Sequence, residues 1–214
     1  MATRIVILIS GRGSNMQALL EAPLPATIVA VISNTPDAAG LAIARKRGVA
    51  TGVVDHRAFE NRASFDATLA AEIDSHAPDL VVLAGFMRVL SDAFVLRYER
   101  HLLNIHPSLL PAFPGLDTHR RALEAGVRVH GCTVHFVTPR LDGGPIVIQA
   151  AVAVEPDDTA ERLAARVLAQ EHRIYPQAVH WFCEGRLRFA SDGNVLVDGA
   201  ASASRPLISP GLDA

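Results

Sequence analysis

The chain has 214 residues, half of them hydrophobic, which is enough to bury the core of one large domain. Its 20 basic and 22 acidic residues are interspersed, and the net charge of −2 argues against a nucleic-acid-binding protein. Two separated cysteines, Cys132 and Cys183, predict neither a disulfide framework nor a zinc site. The first apolar run stops at Ser10, too early for a signal peptide, and no run is long enough for a membrane-spanning helix. We therefore expect a cytoplasmic protein that needs neither a membrane nor a metal.

Short apolar runs alternate with helical patterns through the first half of the chain. Strands are predicted at 5–9, 26–33, 50–54, 80–84 and 101–105, with helices at 14–22, 38–47 and 64–75. Near-continuous apolar strands separated by helices are typical of a parallel sheet that is covered on both faces. The predicted fold class is therefore α/β, with a doubly wound, mostly parallel, Rossmann-like sheet.

The pattern changes in the second half. Two strands at 129–137 and 146–154 flank a turn-rich stretch, which predicts an antiparallel or mixed portion of the sheet. A long helix over 159–184 follows, with Asp158 expected as its N-cap. We expect one domain over 1–190, in two halves that meet at about residue 100, and then a short hairpin and a mobile tail over 191–214.

A glycine-rich loop, Ser10-Gly11-Arg12-Gly13-Ser14-Asn15, lies between the first strand and the first helix. Glycines let backbone N–H groups approach an anion, and the helix N-terminus favours negative charge, so Gly13, Ser14 and Asn15 suit a single phosphate. The third glycine of the dinucleotide-binding pattern and the lysine of the Walker pattern are both missing. The alternative is a simple strand-to-helix turn in which Ser14 or Asn15 caps the helix.

The fifth strand ends in Asn104-Ile105-His106-Pro107. Because strand side chains alternate, Asn104 and His106 should project to the same side, at a carboxyl end of the sheet where such folds bind ligands. An amide donor beside an imidazole can stabilise an oxyanion while a proton moves. The alternative is a buried pair that only satisfies loop backbone groups.

Two carboxylates are further candidates. Asp142 is followed by two glycines and could be only a turn residue, but if its loop folds back toward His106 it would orient the imidazole. Glu171 falls on the apolar face of the last long helix, where a carboxylate needs a partner. That partner is either an arginine such as Arg173 or a hydroxyl or amine of a ligand.

The remaining histidines near this region, His119, His130 and His135, show no metal-ligand spacing. His135 alternates with Thr133 on a strand, which favours a structural or supporting role. Arg88 follows the fourth strand, where it either meets an acidic ligand or faces solvent.

Taken together and in order, seven segments give this chain a specific resemblance over about residues 4–190. They are residues 7–15, 83–88, 103–111, 113–119, 134–137, 141–145 and 170–172. In this order they resemble the phosphoribosylglycinamide formyltransferase family, folate-dependent enzymes of purine synthesis. The resemblance implies that the first half of the domain binds phosphate and that the second half binds folate and carries the catalytic groups.

The resemblance also implies roles for individual residues. Asn104, His106 and Asp142 would be catalytic, Gly13 to Asn15 would hold the substrate phosphate, and Glu171 its ribose hydroxyls. Contacts to 10-formyltetrahydrofolate, the co-substrate, would come from Arg62, Met87, Arg88, Val89, Leu90, Asn104, Thr138, Pro139, Arg140, Leu141 and Asp142. Many relatives carry an acidic pair at the position of Pro139-Arg140, but the expected folate contacts there are mainly from the backbone.

Three other functions remain open from the sequence. A methionyl-tRNA formyltransferase would carry a further C-terminal domain, and a formyltetrahydrofolate hydrolase an extra N-terminal one, and we expect neither here. A non-catalytic phosphate- or nucleotide-binding module is the alternative from another class. We expect glycinamide ribonucleotide and formylfolate as the small-molecule partners, and a monomer or a homodimer.

Overall fold

The apolar runs of the first hundred residues form the strands that their pattern predicts. A computed structural model of the chain describes residues 2–201, 207 and 209. Its contacts divide these residues into a first unit, residues 2–104 with 136–140, and a second unit, residues 105–135 with 141–201, 207 and 209. The prediction of one domain over 1–190 stays a prediction.

The first unit alternates strands and helices along the chain. Its elements are β1 (Thr3–Ile9), α1 (Ser14–Glu21), β2 (Ala26–Ser33), α2 (Ala39–Lys46), β3 (Ala50–Val53), a 3₁₀ turn (His56–Ala58), α3 (Arg62–Ser75), β4 (Leu80–Leu83), α4 (Asp92–Arg97) and β5 (Leu102–His106), whose last two residues lie in the second unit.

Parallel pairing joins the strands of the first unit in the order β3-β2-β1-β4-β5. The order reverses direction between β1 and β4, and right-handed crossovers therefore place α1 and α2 on one face and α3 and α4 on the other. In agreement, α1 contacts α2, and α3 contacts α4. The predicted doubly wound, mostly parallel fold is thus confirmed, and β1 and β4 flank the switch point where such folds bind ligands.

The core of this unit lies between the sheet and the α3–α4 face. Val6 and Leu8 of β1 point into it and meet Phe65 and Leu69 of α3, all nearly inaccessible to solvent. Burying one such side chain contributes about 1.5–3 kcal/mol. This packing fixes the strand ends from which the functional loops emerge.

The second unit contains the antiparallel portion. Its elements are α5 (Thr118–Glu124), β6 (Val129–Phe136), whose last residue lies in the first unit, β7 (Ile146–Ala153), α6 (Ala160–Cys183), β8 (Leu187–Phe189) and β9 (Val195–Val197). Strands β6 and β7 are antiparallel, with Thr133 opposite Gln149, and α6 packs against β7 and α5. The predicted hairpin is present as the antiparallel pair β8 and β9.

Some local predictions were wrong. The N-cap of α6 is Thr159, whose side chain accepts the N–H of Arg162, whereas Asp158 accepts the N–H of Glu155 and pairs with Arg166. Strand β5 ends one residue later than predicted, at His106. Helices α4 and α5 were missed, because six or seven residues carry too little periodicity to be recognised. Most of the tail that was expected to be mobile lies outside the described residues.

Among the described residues, no helix combines the length and the apolar character that crossing a membrane requires.

Candidate functional site

The glycine loop of the first unit is shaped by one glycine. Gly13 has a φ of 77° and is the N-cap of α1 without any side-chain capping bond, so the alternative in which Ser14 or Asn15 caps the helix is wrong. A Cβ on Gly13 would lie 2.9 Å from the Cα of Gly40, which leaves no room for a side chain. Helix α1 therefore begins without a side-chain capping bond from its N-cap residue, and a helix N-terminus favours an anion.

Ser10 joins this loop to the neighbouring strand ends. Its hydroxyl oxygen accepts the N–H of Met87 at 2.8 Å, and its hydroxyl donates to Oδ1 of Asn34 at 2.5 Å. The residues that follow β1, β2 and β4 are thereby held together at the carboxyl edge. Sequence reasoning missed this role, and the only signal was the position of a serine directly after a buried strand.

The segment after β4 exposes some of the predicted folate contacts and buries others. Met87 and Val89 are 67% and 53% exposed, whereas the side chain of Leu90 lies in the core. The guanidinium of Arg88 stacks over the ring of Phe65 at 5.0 Å, and its Nε has no hydrogen-bond partner among the described residues. Arg88 is half-buried and thus does not simply face solvent, and its contact with an acidic ligand stays a prediction.

The other predicted folate residues of this unit lie on its surface. Arg62 is the exposed first residue of α3, and Pro139 and Arg140 are also exposed. Thr138 is half-buried, and its hydroxyl donates to the carbonyl of Arg140 at 3.3 Å.

Strand β5 contains both Asn104 and His106, as the alternation argument requires. Asn104 pairs with Leu83 of β4, which places it level with the end of that strand, and it is half-buried. Asn104 is the last residue of this stretch of the first unit, and His106 belongs to the second.

His106 is held at both ring nitrogens. It is 6% exposed, and its Nε2 lies 3.0 Å from the carbonyl oxygen of Phe113. A carbonyl can only accept, so Nε2 carries a proton. The other nitrogen, Nδ1, faces Oδ2 of Asp142 at 3.5 Å. With an acceptor on each side, the ring is oriented for proton chemistry.

Asp142 does fold back toward His106. The backbone of Asp142 has a φ of 48°, and its side chain is 9% exposed. Oδ2 accepts the N–H of Gly115 at 2.7 Å, and Oδ1 lies 3.9 Å from Nε2 of His135. The carboxylate is therefore fixed between two imidazoles, and a simple turn role does not account for it.

Two further histidines stand close by as an edge-to-face pair, His119 and His130, with ring centroids 5.3 Å apart. Burial, and to a lesser degree His106, lowers the pKa of His119. The pKa of His130 is lowered to about 4, mainly by burial and next by His119, while a bond to the carbonyl of Pro107 opposes the shift. Both rings are therefore neutral at pH 7.

Residues 3–179 match the model of a family described as formyl transferase. The chain belongs to this family.

Similar proteins extend the match over most of the chain. Phosphoribosylglycinamide formyltransferase of Escherichia coli K12 is 54% identical over 188 residues, which are 86% of this chain and 89% of that protein. The protein of the same name from Haemophilus influenzae is 45% identical over 202 residues, 92% of this chain and 95% of its own. A crystal structure of glycinamide ribonucleotide transformylase 1 from Symbiobacterium toebii superposes with a TM-score of 0.88, at 49% identity, over 91% of this chain and 93% of that one.

In this formyl transferase the loop after β5 depends on a residue that sequence reasoning gave no functional weight. Thr133 is fully buried, and its hydroxyl donates to the carbonyl of Ser108 at 2.7 Å. The same oxygen accepts the N–H of Leu110 at 3.0 Å and Nε2 of Gln149 at 2.9 Å. Every hydrogen-bonding position of the hydroxyl is used, so Thr133 anchors the loop that supplies the carbonyl for His106.

Glu171 lies where the helical pattern places it. It is 7% exposed on the face of α6 that also buries Val167 and Ile174. Arg173, which was suggested as one possible partner, donates to the side chain of Gln170, and a hydroxyl or amine of a ligand as the partner of Glu171 stays a prediction. Burial, followed by the charge of Glu171, raises the pKa of the Cys132 thiol to about 12, which leaves that thiol neutral beside the carboxylate.

Within the described part of the chain, no group of three or more histidine, cysteine, aspartate and glutamate side chains could hold a metal ion. The second unit supplies an oriented imidazole–carboxylate pair, His106 and Asp142, and the first supplies N–H groups around a glycine loop. Such groups suit proton transfer and anion binding respectively.

Proposed function

We propose that this protein transfers the formyl group of 10-formyltetrahydrofolate to the amino group of glycinamide ribonucleotide, a step of purine synthesis. The observation that supports this best is the buried ring of His106, held between the carbonyl of Phe113 and the carboxylate of Asp142. Relatives that are 45–54% identical carry the name of this activity.

Backbone N–H groups and a buried carboxylate bind the ribonucleotide. Gly13, Ser14 and Asn15 bind the phosphate of the ribonucleotide through the start of α1. The buried carboxylate of Glu171 accepts hydrogen bonds from the ribose hydroxyls. The folate is bound by two segments, Met87–Leu90 and 138–142, and Arg62 lies at its glutamate tail.

The chemistry requires no covalent enzyme intermediate. The substrate amine attacks the formyl carbon on N10 of the folate, and the carbonyl oxygen becomes an oxyanion. Asn104 and the protonated ring of His106 donate hydrogen bonds to that oxyanion. The amine loses a proton, N10 gains one through the His106–Asp142 pair or a water molecule, and the C–N10 bond breaks to release tetrahydrofolate.

We propose that glycinamide ribonucleotide and formylfolate are the only ligands of this protein, and that neither nucleic acid, nor a membrane, nor a metal takes part. The protein acts in the cytoplasm as a monomer or a homodimer, which sedimentation equilibrium would distinguish.

One assay separates this function from its alternatives. Purified protein is mixed with 10-formyltetrahydrofolate and, in separate reactions, with glycinamide ribonucleotide, water alone or methionyl-tRNA. Consumption of formylfolate only with the ribonucleotide is the expected result. Consumption in water would identify a hydrolase, and consumption with tRNA would identify a tRNA formyltransferase. If formylfolate is consumed in none of the reactions, the protein is a non-catalytic binding module.

Glu171→Gln tests the ribose contact. The variant should raise the KM for glycinamide ribonucleotide by about tenfold or more, because a charged hydrogen bond contributes about 1.5–3 kcal/mol. The KM for formylfolate should stay within twofold. Glu161→Gln, in the exposed first turn of the same helix, serves as the control. Equal weakening of both substrates by Glu171→Gln would contradict the role.

A further inference from the structure

His56 follows β3, and a hydrogen-bond contact with Asn34 connects it to Ser10. It begins the 3₁₀ turn His56–Ala58, and its side chain is 27% exposed. Its main-chain N–H donates to the carbonyl of Asn34 at 3.2 Å, which ties the turn to the end of β2. The sequence gives no reason to select this histidine, and none of the proposed ligand contacts involves it.

The ring nitrogen Nδ1 of His56 has two neighbours that require opposite protonation. It lies 3.1 Å from Nδ2 of Asn34, which can only donate, and 2.8 Å from the backbone oxygen of Asn34, which can only accept. A bare Nδ1 accepts from the side-chain amide, and a protonated Nδ1 donates to the carbonyl. The two bonds therefore exclude each other, and the proton on Nδ1 selects between them.

With a bare Nδ1 the bonds form a continuous chain. Asn34 donates through Nδ2 to His56 and accepts at Oδ1 the hydroxyl proton of Ser10, at 2.5 Å. The oxygen of Ser10 is then oriented to accept the N–H of Met87 at 2.8 Å. Asn34 is 3% exposed, so water replaces none of these bonds easily. In this state the side chains of Asn34 and Ser10 and the N–H of Met87 each have a partner of the right kind.

A proton on Nδ1 breaks this chain at Asn34. The ring N–H and the amide Nδ2 are then two donors facing each other, so the side-chain amide loses its acceptor or turns over. If it turns, its Nδ2 faces Ser10, whose hydroxyl proton no longer has Oδ1 as acceptor. If it does not turn, Oδ1 still accepts the hydroxyl proton of Ser10, but the ring no longer selects this orientation of the amide.

Few charges surround the ring. Oδ1 of Asp55 lies 3.9 Å from Nδ1, but this carboxylate forms two-pronged bonds with Arg57, which also hold the pKa of Asp55 down to about 2. Asp37 in turn acts on Arg57. On the side of Ser10 and Asn34 the neighbours are neutral. The competing groups at Nδ1 are thus the amide and the carbonyl of Asn34.

We propose that His56 is a positioning residue whose unprotonated Nδ1, through Asn34 and Ser10, holds the amide of Met87 and the start of the glycine loop in place for the ligands. The inference rests on the proposed function, because Met87 and the glycine loop are proposed there as the folate and phosphate contacts.

Three variants test it, each compared with the wild type at pH 8. His56→Leu removes the acceptor and should raise the KM for formylfolate two- to tenfold, the effect of about one hydrogen bond, with kcat little changed. His56→Asn keeps an acceptor near the position of Nδ1, so its KM should match that of the wild type. His76→Asn, at the end of α3, is the control and should behave as the wild type.

A second measurement does not depend on activity. Hydrogen exchange of the peptide that contains Met87 should be faster in His56→Leu than in the wild type and in His56→Asn. Unchanged exchange, or a KM of His56→Leu for formylfolate equal to that of the wild type, would overturn the inference. Failure of the wild type to formylate glycinamide ribonucleotide would instead overturn the proposed function, while the exchange result would still decide on the bond chain.

Discussion

The carboxyl edge of the first unit and the histidine cluster of the second unit hold their polar groups by different means. At the first, Ser10, Asn34 and backbone amides form a chain of neutral hydrogen bonds. At the second, imidazoles surround the carboxylate of Asp142, with His106 and His135 facing its two oxygens. Neutral donors bind an anion without exchanging protons with it, whereas imidazole can gain or lose a proton at working pH. This difference supports the proposal that the first region binds substrate and the second transfers protons.

The cluster also contains two histidines that do not face the carboxylate. Burial lowers the pKa of His119 and His130, so these two rings stay neutral. Neither of them faces Asp142 in the described contacts, whereas His106 and His135 do. The rings beside the carboxylate are thus distinct from the two rings that burial keeps neutral.

The largest effect is expected from a substitution of His106 in the histidine cluster. His106→Gln should lower kcat by about 10³, within the usual range for a positioned acid or base, because glutamine cannot become a cation. KM values for both substrates should change much less. Steady-state kinetics of this variant and of the surface control His180→Gln would show it, and a kcat within threefold of the wild type would contradict the assignment.

Asn104→Ala should be next in size. Loss of one oxyanion donor costs about 2.7–4 kcal/mol in activation free energy, or a factor of about 10²–10³ in kcat. Thermal unfolding must show that the variant still folds. The control is Asn194→Ala in the exposed turn of the β8–β9 hairpin. Nearly normal turnover by folded Asn104→Ala would remove Asn104 from the mechanism.

The neutral state of the buried His130 ring can be tested through the free energy of unfolding. His130 has a folded pKa of about 4 against an ordinary 6.5, so between these values the unfolded chain binds a proton that the folded chain does not. The free energy of unfolding should therefore fall as the pH falls through this window, by of the order of 3 kcal/mol from this ring. Urea unfolding of His130→Gln should show a correspondingly smaller loss, and His101→Gln the wild-type loss. Equal acid losses in all three proteins would mean that His130 is not kept neutral by the fold.

The smallest effect is expected from a glycine substitution in the proposed phosphate-binding loop. Gly13 and Gly48 both have a positive φ, 77° and 72°, but only Gly13 has a neighbour that a Cβ would strike. Alanine at Gly48 should cost about 1–2 kcal/mol of stability through backbone strain alone. Alanine at Gly13 should cost more and should also raise the KM for glycinamide ribonucleotide. If the two variants bind the ribonucleotide equally well, the loop is not its phosphate site.

The main strands and helices, and the faces on which several site residues lie, could be predicted because they depend on neighbouring residues in the sequence. The two-residue period of a strand placed Asn104 and His106 together on β5, and the 3.6-residue period of a helix placed Glu171 on the buried face of α6. The left-handed turn at Gly13 is likewise a local requirement, since only glycine adopts it without strain. Where local signals were short or shared, as in α4, α5 and the cap of α6, the predictions failed.

Tertiary structure alone decided which of these groups meet. Asp142 reaches His106 from 36 positions along the chain, and the carbonyl of Phe113 and the N–H of Gly115 complete that arrangement. His56, Asn34 and Ser10 come from three different strand ends. Periodicity determines the face on which a side chain lies, because it follows from the geometry of the local backbone. The partner of that side chain depends on how distant segments pack, and no local pattern encodes that distance.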